Sequence, residues 1–380
     1  MAVTSREIRL KSRPQGMPQA ENFELASVEL GEPGPGEVLV RNAWMSVDPY
    51  MRGRMYDRPS YVPPFELGKA LQGGAVGTVL KSNDDRFKPG DLVDSMFGWR
   101  EAYVASASNL NKLPAGVPPQ AFLGVLGMPG MTAYTSFHRI GAPKEGDVVF
   151  VSGAAGAVGS AVCQIAKIRG CTVVASAGSD EKLAWLKSVG VDAGVNYKTA
   201  SNLLEAVRAA APKGIDIYFD NVGGEHLEVA LEVARPFARF IECGMISIYN
   251  AKEPPPGPRN MAYVVGKRIK MQGFIVSDFM DMREQFIAMR KSLREDLHKD
   301  LSGALRKELR ADRKSLRLEL RVLIEAERDR WKAVVDQQNH VLAALGLVDL
   351  AAKDRDTALD GRITALGARV SALEPHDAAQ

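Results

Sequence analysis

The stretch VVFVSGAAGAVGSAVCQIAKIRG, residues 148–170, decides the fold. Four apolar residues, Val148 to Val151, run into a corner of small residues, and beyond Ala157 apolar side chains recur three and four apart. A short apolar run bounded by turn residues reads as a strand buried on both faces, and the spacing that follows reads as a helix. Three glycines punctuate the corner. Gly153 permits a sharp turn, Gly156 carries no side chain to hold a ligand off the backbone, and Gly159 lets helix and strand pack closely. Such a corner points unpaired amides and the positive end of a helix dipole at whatever lies across its mouth, which suits a pyrophosphate. Gly153, Ala155, Gly156, Ala157, Val158 and Gly159 are therefore the candidate phosphate-binding residues.

Outward from the corner, strands are expected at 148–152, 172–176, 215–220, 239–244 and 269–276. Helices are expected at 157–169, 180–189, 201–210 and 225–234. Strands alternating with helices imply a twisted parallel sheet covered on both faces. The second strand identifies the nucleotide. In an NAD site an acidic residue about 20 residues past the glycines takes the ribose hydroxyl. Here that strand, CTVVAS, ends in Ala177, Gly178 and Ser179, so the carboxylate that would repel a 2′-phosphate is missing. Ser179 can donate a hydrogen bond and Lys182 lies one turn into the next helix, which favours NADP over NAD. Asn221 follows the apolar strand IDIYFD, and ligands of such sheets lie at the carboxyl ends of the strands.

The 380 residues are 46% hydrophobic and 25% charged with a net charge of +3, an ordinary globular balance without a large field for nucleic acid. Cys163, Cys171 and Cys243 lack metal-ligand spacing and read as buried or unpaired thiols of a reducing, cytoplasmic setting. No run approaches the roughly 18 apolar residues of a membrane span. Residues 1–126 read as short alternating strands between Gly and Pro, a β-rich domain in which Val38 and Val40 share one face. Residues 127–286 carry the parallel crossover units. From 287 to 380 the texture is dense in both charge signs. Leu293, Leu297, Leu301, Leu305 and Leu309 form one stripe, and Leu359, Ile363, Leu366, Val370 and Leu373 step by four and three. That predicts a helical, coiled-coil-like tail and self-association into a homo-oligomer.

With these elements in place, the chain resembles the zinc-independent medium-chain dehydrogenase/reductases, in the group of prostaglandin reductases and plant double-bond reductases. The resemblance rests on SVDPYMRGRM (46–55), GMPGMTAYTSFHRIG (127–141), SGAAGAVGS, AGSDEKLAWLK, GVNYKT, FDNVGGE, ECGMISIYN and MQGFIVSDF, in that order over residues 1–286. It implies an α/β protein with a GroES-like catalytic domain and a Rossmann domain. The implied reaction is NADPH-dependent reduction of the C=C bond of enals and enones, or of quinones. It further implies that Tyr249 lies near the substrate oxygen with Tyr50 across the pocket, a phenol meeting the charge that hydride addition creates. By the same likeness Lys182 and Tyr197 contact the 2′-phosphate, Asn221 the ribose or pyrophosphate, and Thr132, Cys243 and Phe274 the nicotinamide region. No metal is expected: the first 137 residues contain neither Cys nor His. Met128, Met131 and Phe137 read as core. The family's return segment to the first domain, of the type NFGKMVV, has no counterpart here. The alternatives are a quinone or alcohol oxidoreductase of the same superfamily, and a cofactor-binding assembly protein.

Overall fold

The computed structural model describes residues 3–114 and 117–282. The chain divides into two units, Met1–Arg294 and Glu295–Gln380. The second unit, and with it the coiled-coil-like tail expected over 287–380, lies outside the described residues.

The first strands are β1 (Val3–Leu10) and β2 (Phe23–Leu30), an antiparallel pair. β3 (Glu37–Met45), β4 (Ala75–Ser82), β5 (Leu92–Ser95), β6 (Ala102–Ser106) and β7 (Asn111–Lys112) form an antiparallel sheet in the order β6-β3-β4-β5-β7. Val38 and Val40 share its core with Val79, Val93 and Tyr103, as their alternation predicts. Between β3 and β4 the short helix α1 (Tyr50–Arg54) carries the SVDPYMRGRM segment.

The remaining strands are β8 (Val148–Val151), β9 (Thr172–Ala177), β10 (Ala193–Asn196), β11 (Ile215–Asp220), β12 (Ala234–Glu242) and β13 (Lys270–Gly273). They pair in parallel in the order β10-β9-β8-β11-β12-β13. With β8 counted first this is the 3-2-1-4-5-6 order of a doubly wound dinucleotide-binding sheet, and the order reverses beside β8, at the glycine corner. Helices α2 (Met128–Ser136), α3 (Ala157–Ile168) and α4 (Asp180–Ser188) cover one face. The other face carries α5 (Leu203–Ala210), α6 (Glu225–Val233) and α7 (Ala262–Gly266). The apolar run of β8 serves both cores: Val149 and Val151 face the first, Phe150 the second, all at 0% exposure.

Three expectations need correction. β10 was not anticipated, because AGVN is short and weakly apolar; it is an edge strand that only its neighbour β9 orders. The strand expected at 239–244 begins at Ala234, directly after α6, and bulges through Arg235 to Ala238 before pairing resumes at Arg239. Pro236 and Phe237 at φ +67° account for the missing signal. The strand expected at 269–276 keeps only Lys270–Gly273. Among the three residues read as core, Phe137 is fully buried, Met131 half-buried, and Met128 42% exposed at the first turn of α2.

The close approach at the corner is geometric. Gly153 adopts φ +57°, and a Cβ at Gly159 would lie 2.5 Å from the Gly153 carbonyl oxygen and 2.8 Å from Ala154 Cα. Both are backbone atoms with no room to yield. Gly159→Ala is therefore expected to destabilise the chain by about 1–3 kcal/mol through overpacking. Urea denaturation of the two proteins measures this directly.

Candidate active site

The corner itself is open. Gly156 is the N-cap of α3, with no side-chain cap and no acidic residue in the first turn. Its neighbours differ: Ser179 caps α4 by accepting from Lys182 N, and Asn202 caps α5 by accepting from Glu205 N. A Cβ at Gly156 would meet only the Gly153 carbonyl, at 3.3 Å, so the space beyond it is free. Ala155 and Val158 pack their side chains against the first core and leave the backbone to face outward. A pyrophosphate fits this cradle, since it needs backbone donors, a positive dipole and no side chain in the way.

At the end of β9, Gly178 makes a second contact surface. A Cβ there would lie 2.8 Å from the Tyr197 hydroxyl and 3.2 Å from Lys198 Cε, so the absent side chain lets both residues fold over the strand end. Tyr197 stacks edge-on against His226, with centroids 5.2 Å apart. The Ser179 hydroxyl accepts from Lys182 N at 3.3 Å, which leaves its own proton free to be donated outward. Lys182 and Lys198 are both exposed. The carboxylate of Asp180 is engaged by Asn196 Nδ2 at 2.7 Å. Lys198 stands in the quoted motif GVNYKT, where the resemblance implies no role for it; it enters because it follows Tyr197 off the edge strand that the sequence pattern did not reveal.

At the carboxyl ends of β8 and β11 the polar groups interlock. Ser152 Oγ donates to Asp220 Oδ1 at 2.9 Å, Asn221 N donates to Ser152 Oγ at 2.9 Å, and Asn221 Nδ2 donates to the Ser152 carbonyl at 2.7 Å. Asn221 is thus tied to the residue before Gly153, beside the cradle. Thr132, on α2, is buried and donates to the Met128 carbonyl at 2.8 Å. Cys243 and Phe274 follow β12 and β13, both packed at the edge of the first core, and Phe274 leans on Phe279. Burial, with Asp220 and Glu242 nearby, pushes the Cys243 thiol up to about 12, so it stays neutral.

Tyr249 comes after the turn Ile246–Ile248 and folds back so that its hydroxyl accepts from Met245 N at 3.2 Å. That bond occupies a lone pair and leaves the phenolic proton available. Burial, then Cys243 and Asp220, raise the Tyr249 phenol above its ordinary value. Tyr50, the first residue of α1, is pushed up to about 12, mainly by burial and then by Asp48. Tyr61, 62% exposed, stands at the mouth of the same region: partial burial, then the nearby Tyr249 and Cys243, raise its phenol, and it acts in turn on Tyr50. The loop from 56 to 74 that brings Tyr61 in has no periodic pattern, so nothing local in the sequence singles this tyrosine out.

α1 reaches the same place through Arg52, which is 8% exposed. Its Nε donates to Asn250 Oδ1 at 2.7 Å, and its Nη2 donates to the Gly16 carbonyl at 2.6 Å and to Tyr56 OH at 2.8 Å. Tyr56 OH in turn donates to the Tyr249 carbonyl at 3.0 Å. Arg52 therefore joins the β-rich part of the chain to the Tyr249 segment.

Residues 6–113 match a family described as the N-terminal domain of oxidoreductase, and residues 157–292 match one described as zinc-binding dehydrogenase. The NADPH-dependent curcumin reductase of Escherichia coli is 45% identical over 276 residues, covering 70% of this chain and 79% of that protein. The 2-alkenal reductase (NADP(+)-dependent) of Nicotiana tabacum is 43% identical over 294 residues, covering 76% and 85%. The crystal structure of CurA from Vibrio vulnificus in complex with NADPH superposes with a TM-score of 0.71 at 40% identity, covering 77% of this chain and 88% of that one.

The chain belongs to the zinc-independent medium-chain dehydrogenase/reductases, in the prostaglandin and alkenal reductase group. The second family description names zinc; among the described residues no group of three or more His, Cys, Asp and Glu side chains is arranged to hold a metal ion. Nor, among them, is any helix long and apolar enough to cross a membrane.

Within this reductase the Arg52 fork serves three acceptors at once, a geometry that a lysine ammonium cannot reproduce. Arg52→Lys is expected to lose about 1–3 kcal/mol of stability, the cost of buried acceptors left unpaired, and to slow turnover by loosening the Tyr249 segment. Chemical denaturation and single-turnover kinetics test both parts.

Proposed function

We propose that this chain is an NADPH-dependent reductase of the carbon-carbon double bond of α,β-unsaturated aldehydes and ketones. The observation that carries the reading is the placement of Tyr249. Its phenol is held by Met245 N with the O–H free, beside strand ends that also carry an open dinucleotide cradle. The printed activities of the curcumin and 2-alkenal reductases support the same substrate class, and the NADPH complex of CurA supports the cofactor.

In this reading the corner from Gly153 through Ala155, Gly156, Ala157, Val158 and Gly159 cradles the pyrophosphate: the Gly156 amide closes the turn on the Gly153 carbonyl at 3.0 Å, and the first-turn amides of Ala157, Val158 and Gly159 are the donors. Ser179, Lys182 and Tyr197, joined by Lys198, hold the 2′-phosphate. Asn221 holds the adjacent ribose or pyrophosphate region, and Thr132, Cys243 and Phe274 wall the nicotinamide side. Bound NADPH supplies the hydride that the β-carbon of the alkene receives. Tyr249 presents its O–H to the carbonyl oxygen, where negative charge gathers, and Tyr50 and Tyr61 close the pocket from the β-rich side. A phenol whose proton is held more tightly than in water remains a donor across the neutral range, which is what stabilising that charge requires.

In this reading the chain comprises a catalytic domain (1–126), a cofactor domain (127–286) and a tail (287–380). The leucine spacing of the tail supports self-association into a homo-oligomer. Three free cysteines suit a cytoplasmic setting.

Tyr249→Phe is expected to lower kcat on an enone by roughly 10²-fold, the cost of losing one donor to a developing oxyanion, while the dissociation constant for NADPH stays put. Stopped-flow NADPH oxidation with a parallel fluorescence titration separates the two quantities; full kcat in the variant would remove Tyr249 from this role. Lys182→Ala, by contrast, is expected to raise KM for NADPH by about tenfold and leave KM for NADH unchanged, since only the phosphorylated cofactor uses a charge-assisted hydrogen bond there. Initial rates with both cofactors decide it.

A further inference from the structure

At the carboxyl ends of β11 and β12, Asp220 and Glu242 are direct partners across the parallel pair. They continue the face on which Tyr218 and Phe240 stack edge to face below them, centroids 5.2 Å apart. Asp220 is fully buried. Its Oδ1 is saturated: Ser152 Oγ donates to it at 2.9 Å, Tyr218 OH at 2.7 Å, and Val222 N and Gly223 N at 2.8 Å each. Its Oδ2 is buried and receives nothing, and both carboxyl oxygens of Glu242 are buried and receive nothing. Three orphaned oxygens on two facing carboxyls form an unstable arrangement if both groups are ionised. Two negative charges would repel in a poorly solvated site with no donor between them. One proton resolves it. A neutral acid on Glu242 becomes the donor that Asp220 Oδ2 lacks.

We propose that Asp220 and Glu242 share one proton, carried by Glu242 as a neutral carboxylic acid that donates to Asp220 Oδ2, and that this pair positions the active-site segments hung from the two strand ends. Those segments are specific. Asp220 Oδ1 holds the amides of Val222 and Gly223 and so shapes the Asn221 turn, while the Asp220 carbonyl accepts from Cys243 N and Gly244 N at 3.0 Å each. Met245, next along, donates to the Tyr249 hydroxyl. Glu242 is thus a positioning residue: it acts on Tyr249 and Asn221 through Asp220, and this role rests on the function proposed above.

The surroundings agree with one shared proton. Burial first, then the charge of Asp220, pushes the Glu242 carboxyl up to about 8 from its ordinary 4.5. The other ionisable groups around the pair are Tyr218 on β11, Cys243 and Tyr249 beyond β12, and His226 on α6. Tyr218, Cys243 and Tyr249 are all shifted toward their neutral forms, and burial holds His226 toward neutral as well. On β13, the residue facing Glu242 is Gly273, which brings no side chain. No fixed positive charge among these groups replaces the proton.

The linkage to stability follows from the sign of the shift. The folded chain keeps a proton on Glu242 that the unfolded chain releases above pH 4.5, so this contribution is complete below 4.5 and is lost as pH rises to about 8. Glu242→Gln keeps a donor to Asp220 Oδ2 without a titratable proton. Three measurements on the full chain test the pair. First, the infrared difference spectrum of wild type minus Glu242→Gln at pH 7 is expected to show the C=O stretch of a neutral carboxylic acid; its absence overturns the shared proton. Second, the melting temperature of the wild type relative to Glu242→Gln is expected to fall between pH 5 and 8; parallel curves overturn it. Third, the ratio of kcat/KM at pH 9 to that at pH 7, with NADPH and an enone, is expected to drop about tenfold in the wild type and to stay flat in the variant. The same alkaline limb in both overturns the positioning role. The first two readouts need no substrate, so a chain that reduced no enone would defeat the proposed function and leave the proton pair to be decided by them. Should Glu242→Gln fail to fold, Glu242→Met gives the same infrared subtraction.

Discussion

The ends of three strands meet at one residue, Asp220, two of them on its buried carboxylate and the third on its main-chain carbonyl. Asp220 gathers the Ser152 hydroxyl from β8, the Tyr218 hydroxyl from its own strand, the amides of the turn that follows, and through its carbonyl the amides just past β12. Hydrogen bonds to a charged acceptor contribute about 1.5–3 kcal/mol each, and four of them on one oxygen justify keeping an anion in the core. Three of the groups proposed to touch ligand are one or two steps from this anchor. Gly153 follows Ser152, Asn221 follows Asp220, and Tyr249 is reached through Met245. Apolar packing on the two sheet faces gives the domain its stability; the carboxylate gives the site its coordinates.

A second constraint concerns what is left undone. An N-cap side chain is worth about 1 kcal/mol to a helix, and α4 and α5 both take that gain through Ser179 and Asn202. α3 forgoes it, and its first turn also lacks the acidic residues that sit in the first turns of α4, α5 and α6. One helix start among these is therefore left with free amides and an uncompensated dipole, and it is the one at the point where the strand order reverses. A doubly charged pyrophosphate offsets that omission better than any side chain does. The same logic reaches Gly178, where a missing side chain makes room for Tyr197 and Lys198 rather than for a turn.

What the sequence made legible follows from which interactions are local. The corner, its three glycines and the strands flanking it are readable because each residue's task is defined by its own backbone and nearest neighbours. β11 is placed at its observed limits because Ile215, Ile217, Tyr218 and Phe219 make a dense run of strand-forming residues that feeds both cores. β10 is not, because an edge strand of four residues owes its order to β9. Tyr61, Arg52, Lys198 and the Asp220–Glu242 pair are likewise invisible in one dimension. Each matters through partners far along the chain, such as Arg52 with Asn250, 198 positions away, and no spacing rule marks such pairs. Arg52 sits inside a quoted motif, two residues from Tyr50, yet its role appears only when Asn250 arrives opposite it. The two-domain division and the tail remain readings of texture, since a change in composition marks a boundary without showing what crosses it.

The seam between the β-rich part and the sheet passes through the residue whose position matters most. Tyr249 is fixed twice, by Met245 N on its hydroxyl and by Tyr56 OH on its carbonyl, and Arg52 grips the neighbouring Asn250. Apolar surfaces in contact tolerate sliding by an ångström or so, and a shift of that size in a proton donor costs orders of magnitude in rate. A guanidinium fork with three acceptors resists sliding, because moving any acceptor breaks a buried or half-buried bond. Burying that guanidinium is unfavourable by itself, which is why burial pulls the Arg52 pKa down. Its retention is best understood as the means by which the β-rich domain sets the register of the phenols against the strand ends. On the proposed reading the two parts contribute separable things: the parallel sheet orients the nucleotide, and α1 with its loop sets where the carbonyl of the substrate lies relative to it.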